Sequence, residues 1–275
     1  MAELINRRAL KAETKRLLAD AEVSPKAITA LYLGLLLTLN LVSMIPQEAG
    51  LLATFITILT VLLRLVLAAG FVLYCMAIRR GERAEFLTLF DGFAFVGKII
   101  ALNLAIFLSV FFWSILFLFP GIIASYRYRF ALLNLYENPD LGVIEAMALS
   151  TRQTYGYKAQ LFTLDLSYFS WTFLAMIPAA FYNSSMMVEP YLDTMEAMAS
   201  TISFTTPEFA AAAIMPAIAW TLVIGLWDLV VSMFYYPNFQ CVELGYFETA
   251  KRTSGLNAAT FHRTRRNGPD NMGGF

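Results

Sequence analysis

The sequence predicts an all-α membrane protein, a polytopic bundle of six transmembrane helices with a further helix lying at the cytoplasmic interface. Three observations carry that prediction. Of the 275 residues, 59% are hydrophobic and only 15% are charged, whereas soluble domains average about 25% charged; mean hydropathy is +0.62. Six apolar stretches, at 27–45, 51–78, 99–119, 121–136, 159–182 and 209–236, approach the roughly 20 residues that a helix needs to cross a hydrocarbon core about 30 Å thick. Finally, the charges are sorted. Apart from Arg64, Arg127 and Arg129, every Lys and Arg falls at 1–26, 79–98, 138–158 or in the tail from 249, while the alternate connections carry Glu48, Glu189, Asp193, Glu196 and Glu208 and no basic residue. Basic loops stay cytoplasmic, so both termini are expected inside and the acidic 183–207 loop outside.

The elements follow in order. Residues 1–26 hold Arg7, Arg8, Lys11, Lys15, Arg16 and Lys26 with a narrow stripe of Leu10, Leu17 and Leu18; this is a basic helix, either resting on the membrane surface or simply solvated. The first apolar stretch begins only after this charged region and more spans follow it, which predicts an uncleaved first span and no signal peptide. The short 46–50 loop makes the first two spans a hairpin. Within 79–98, Phe86, Leu87, Leu89, Phe90 and Phe93 predict a short interfacial helix. Pro120-Gly121 is read as a hinge between two apolar runs. After Asn138-Pro139, Asp140 is a candidate N-cap and Gly156 a helix end, with Leu141, Ile144, Ala148 and Thr151 at helical spacing; this is the expected surface helix. The tail, 249–275, is polar and expected to be partly disordered.

Five ionisable residues fall inside apolar stretches: Arg64, Arg127, Arg129, Asp165 and Asp228. A helical rise of 1.5 Å per residue puts the last four roughly 10–15 Å from the cytoplasmic ends and Arg64 about 20 Å in. Each is expensive in lipid, so Arg–Asp pairing between helices is expected. Arg127 and Arg129 lie roughly 200° apart around a helix, so they cannot share one partner. Two readings follow. The leading one has ion pairs locking helices together; the other has a polar path that handles an anionic headgroup or solute.

Other chemistry is sparse. Net charge is zero, so no bulk field draws nucleic acid. Cys75 and Cys241 are read as apolar fillers, and with His262 the only histidine, neither a disulfide framework nor a metal site is expected. No His-Glu-x-x-His, no Gly-x-Ser-x-Gly and no P-loop occurs. Asp165 and Asp228 lack the Gly-x-Gly-Asp context of aspartyl intramembrane proteases. No enzymatic activity and no cofactor are expected.

Several motifs resemble a known family. They are Arg79-Arg80-Gly81-Glu82, Phe90-Asp91-Gly92-Phe93, the run from Trp113 through Pro120-Gly121 to Ile123, Glu137-Asn138-Pro139-Asp140, Glu145-Ala146, Ser150, the segment 162–171, Tyr236-Pro237 and Tyr246-Phe247-Glu248. Together, over roughly residues 1–250, they resemble the DUF975 family of bacterial integral membrane proteins. The resemblance implies a membrane fold and supplies no catalytic residue. The chain departs from the family pattern at Ser150-Thr151-Arg152 and Tyr155-Gly156, which thins the basic face of the surface helix. The proline-glycine turn followed by a surface helix is also similar, more weakly, to the membrane domain of some glycerophosphodiester phosphodiesterases. The expected role is a non-enzymatic accessory or scaffold protein of the bacterial membrane or envelope. Its expected partners are membrane lipids, with anionic headgroups on the cytoplasmic side and a protein partner open. The alternative is a small transporter or lipid-handling protein built on the Arg/Asp residues.

Overall fold

The computed structural model describes residues 3–44, 50–182 and 207–255. Residues 45–49 with Glu48, which take in most of the 46–50 loop, the acidic segment 183–206, and the tail from 256 with His262 lie outside the described residues. Every described element is helical and none is a strand. In chain order these are α1 (Arg7–Ala19), α2 (Pro25–Ser43), α3 (Leu51–Arg80), a 3-10 segment (Phe86–Phe95), α4 (Val96–Leu116), α5 (Leu118–Arg127), α6 (Ala131–Glu137), α7 (Val143–Gln153), α8 (Lys158–Leu166), α9 (Phe169–Tyr182) and α10 (Pro207–Ser254).

Among the described residues, four helical stretches are long and apolar enough to cross a membrane: Pro25–Ser43, Leu51–Arg80, Phe86–Ile115 and Ile218–Ser254; α8 and α9 qualify as a fifth only when taken as one broken span. The protein is therefore all-α with several candidate membrane spans, but helix length does not yield the expected six. The missing one is 121–136, which is two helices: α5 and α6 are separated by a turn at 128–130. At about 15 Å, α5 is half a membrane thickness.

The chain divides into two compact units. Unit 1 comprises Met1–Ser24, Leu62–Ser167 and Pro237–Phe275; unit 2 comprises Pro25–Val61 and Tyr168–Tyr236. Unit 1 holds most of the well-buried side chains. Phe71 and Tyr74 of α3, Leu89 of the 3-10 segment, Phe130, Leu149 of α7, Leu161 of α8 and Phe247 of α10 are all sealed from solvent. The α3 helix reaches the 3-10 segment at Gly70, where an added Cβ would lie 1.8 Å from the carbonyl oxygen of Leu89. On the far half of α4, by contrast, Leu104, Phe107, Phe111, Phe112 and Trp113 are exposed, as are Ile122 and Ile123 of α5. Exposed apolar side chains grouped on these two successive helices suit contact with lipid.

The α4–α5 reversal differs from the expected hinge. The chain turns at Phe117, whose backbone is extended, and Pro120 and Gly121 sit inside the first turn of α5. A helix tolerates Pro there because the first N–H groups have no intrahelical partner. Gly121 serves close approach: a Cβ would lie 2.0 Å from Ser114 Oγ on α4. At the other end of α4, Leu102 is buried with Ala131 and Leu135 of α6 and Ala146 and Met147 of α7. The chain thus returns to the level at which α4 began.

The surface helix is shorter than expected. α7 starts at Val143 with Gly142 as N-cap, and Glu145 Oε2 accepts the Gly142 N–H at 3.1 Å. Asp140 does not cap it; its N–H donates to Asn138 Oδ1 in a local turn. Gly156 does mark the end, at φ +83°, a conformation that favours glycine. Five α7 residues are buried. Two of them form polar contacts that side-chain periodicity does not reveal. Gln153 exchanges two hydrogen bonds with Asn134 of α6, at 2.7 and 3.0 Å. Ser150 bridges the 128–130 break, accepting from the Phe130 N–H at 3.1 Å and donating to the Arg127 carbonyl at 2.8 Å. A helix break inside apolar surroundings leaves backbone groups unpaired, and Ser150, joined by Thr154 at the Arg127 carbonyl, pairs them here. Ser150→Ala is expected to lower stability by about 1–3 kcal/mol. The melting temperature of the purified protein reads this, and an unchanged value would mean that Thr154, which also donates to Arg127, holds the break alone.

The last predicted span does not stop at Tyr236-Pro237; α10 runs on to Ser254. Proline removes one N–H and one helical bond. Beyond it, Val242, Leu244, Tyr246, Phe247 and Ala250 are buried, and that packing holds the helix together.

Candidate functional site

Of the five ionisable residues in apolar stretches, the fold brings two into direct contact and adds a third that the sequence reading missed. Arg129 lies in the turn between α5 and α6, Asp165 on α8 and Glu243 on the extension of α10. The Arg129 guanidinium donates through Nη1 and Nη2 to the two oxygens of Asp165, at 3.1 and 3.0 Å. Its Nε donates to Glu243 Oε1 at 2.6 Å and its Nη2 to Oε2 at 3.4 Å. Tyr126 Oη donates to Asp165 Oδ2 at 2.7 Å. The rings of Tyr126 and Phe239 flank the guanidinium, each centroid 5.9 Å from its central carbon. Fork-shaped bidentate donation is the geometry that arginine offers and lysine does not.

The cluster is mostly enclosed. Side-chain exposure is 26% for Arg129, 29% for Asp165 and 11% for Glu243, and every carboxylate oxygen receives a donor. One cation thus ties the α5–α6 turn, α8 and α10 together. Phe239, Val242, Tyr246, Phe247 and Ala250 recur at helical spacing past Pro237, and this was the signal that would have put Glu243 on the same helix as Asp228.

The remaining three residues lie elsewhere. Arg127 shares no partner with Arg129, as the angular argument requires: its carbonyl is held by Ser150 and Thr154. Its guanidinium forms no ion pair among the described residues, and its Nε is buried without a hydrogen bond. Arg64 lies half-buried on α3 and is not a member of the cluster. Asp228 belongs to unit 2 and accepts from Ser232 at 3.0 Å.

Further charges of unit 1 are paired in the same way. Arg79, whose side chain is 6% exposed, meets Glu248 at 2.7 Å and Glu13 at 3.8 Å. Glu137 receives both Arg80 at 3.1 Å and Lys251 at 2.6 Å. Glu3 meets Arg252 at 3.1 Å, and Tyr157 hydrogen-bonds Thr253 at 2.8 Å. Cys75 and Cys241, far apart in sequence, are both buried free thiols. No group of three or more His, Cys, Asp or Glu able to hold a metal ion occurs among the described residues.

The stretch carrying the break, Ser150 and Asp165 coincides with the resemblance noted in the sequence. Residues 115–199 match the family described as Protein of unknown function (DUF975). The DUF975 match covers the α4–α5 reversal, α6, α7, α8 and α9, and is narrower than the roughly 1–250 over which single motifs resemble it. It includes Arg129, Asp165 and Tyr126 but not Glu243. No curated protein matches this chain, and no solved structure does.

Proposed function

We propose that the protein is a non-enzymatic accessory or scaffold protein of the bacterial cytoplasmic membrane, multi-pass, with its basic segments and both termini on the cytoplasmic side. The observation that carries this reading is the mutually paired, mostly enclosed Arg129–Asp165–Glu243 cluster. All four carboxylate oxygens are met by donors of the cluster, which suits a helix clamp better than a solute site. The gathering of the N-terminal segment, the 79–98 and 138–158 regions and the end of α10 in unit 1 agrees with one common side for the basic segments.

The lipid contact in this reading narrows to α1. Arg79, Arg80, Lys251 and Arg252 are taken up by carboxylates. Arg8, Lys15 and Arg16 are exposed and form no ion pair among the described residues. Each basic residue near an anionic surface contributes about 1 kcal/mol. Replacing Arg8, Lys15 and Arg16 by Ser is expected to weaken association with phosphatidylglycerol on the order of a hundredfold. The measurement is the rise in melting temperature of the full-length protein on adding phosphatidylglycerol, compared with phosphatidylcholine. An equal rise in wild type and variant would remove α1 from the account.

A second reading, a small transporter or lipid-handling protein, draws support from the surroundings of Asp228 and no longer from Arg129 and Asp165.

A further inference from the structure

Unit 2 contains one cation in its whole sequence, Lys26, against Glu48, Glu189, Asp193, Glu196, Glu208 and Asp228. Lys26 is turned to the face of Phe234, 5.2 Å from the ring centroid. Asp228 pairs with no cation among the described residues and accepts one hydrogen bond, from Ser232. It lines a cavity of about 380 Å³ with Leu37 and Asn40 of α2, Met176 of α9, and Thr221 and Tyr235 of α10. A carboxylate among apolar helices is costly unless something positive meets it.

The chemistry of the cavity narrows what that is. A bare calcium or magnesium ion takes six or more oxygens, and this cavity offers one carboxylate and a few neutral oxygens on mostly apolar walls. Its volume lies in the range of small-molecule sites, which are apolar with few convergent polar groups. Tyr235 adds an aromatic wall, its ring stacked on Trp171 at 5.9 Å, and aromatic rings attract organic cations. We infer that this cavity binds a lipophilic organic monocation, its charge against Asp228 and its apolar body along Leu37 and Met176. The inference is independent of the α1–lipid reading, and the α1 variant should leave it untouched.

The probe is tetraphenylphosphonium, with tetraphenylborate as the control of like shape and opposite charge. Equilibrium dialysis against the full-length protein in nanodiscs is expected to show one saturable site for the cation and none for the anion. Asp228→Asn should weaken the cation about tenfold or more. Met176→Trp, which fills the cavity and keeps the carboxylate, should abolish binding with the melting temperature retained; it serves if the Asn variant fails to fold. The inference is overturned by an absence of saturable binding, by equal affinity for both ions, or by a folded Asp228→Asn protein that binds as wild type. Displacement of the probe by phosphatidylethanolamine at comparable levels would give the site to a lipid headgroup and overturn it too.

Discussion

Arg129→Gln should be among the most damaging single substitutions in this protein, lowering its melting temperature by about 5–10 °C. The change removes the one cation that Asp165 and Glu243 share and leaves two carboxylates facing each other in a mostly enclosed site. Breaking a buried pair by removing one partner costs about 3–5 kcal/mol, and partial exposure of Arg129 and Asp165 brings this to about 2–4 kcal/mol. For a chain of this size each kcal/mol moves the midpoint by about 2–4 °C. Lysine is not expected to rescue it, because a point charge cannot reach both carboxylates with the fork that Arg129 uses. If Arg129→Gln folds normally and melts as wild type, the cluster is not a clamp.

Gly70→Ala should be comparably severe for a different reason. Its Cβ would lie 1.8 Å from the Leu89 carbonyl oxygen and 2.3 Å from the carbonyl carbon. Those atoms are backbone, so no rotamer change relieves the clash; α3 and the 3-10 segment must separate. Overpacking costs about 1–3 kcal/mol and more where nothing can give, and here Leu89 is itself fully buried. Gly97→Ala is the control. It lies on α4 with nothing within 4 Å of the new methyl, and a helical Gly→Ala change in open space stabilises by about 1 kcal/mol. Loss of yield or melting temperature in Gly70→Ala, with none in Gly97→Ala, is the expected pair of results. Equal behaviour of the two would contradict the close approach.

The same contrast, local pattern against contact across the fold, explains what the sequence did and did not reveal. Hydropathy placed α2 and α3 within two residues of their limits, 27–45 against Pro25–Ser43 and 51–78 against Leu51–Arg80, because long apolar runs dictate a helix by themselves. The α1 stripe of Leu10, Leu17 and Leu18 was equally legible. The break at 128–130 was not: Tyr128-Arg129-Phe130 has no Gly or Pro to announce it, and what sustains it is Ser150, 20 residues later. Proline misled in the opposite direction. Pro237 read as a helix end, but the buried residues after it carry α10 on to Ser254, and with it Glu243 to Arg129. Composition showed that the intramembrane charges needed partners, and angular spacing showed that Arg127 and Arg129 would part. Which carboxylates Arg129 would take depended on where α8 and α10 pack, and no local pattern records that.

The central claim is that the Arg129 cluster is a structural clamp. A double-mutant cycle tests it most directly, with melting free energies measured for wild type, Arg129→Gln, Glu243→Gln and the double variant in one detergent. A clamp predicts strong coupling, the double variant being less destabilised than the sum of the two singles by about 1–3 kcal/mol, because Glu243→Gln relieves the carboxylate that Arg129→Gln strands. Additive effects, with no coupling beyond error, would contradict it.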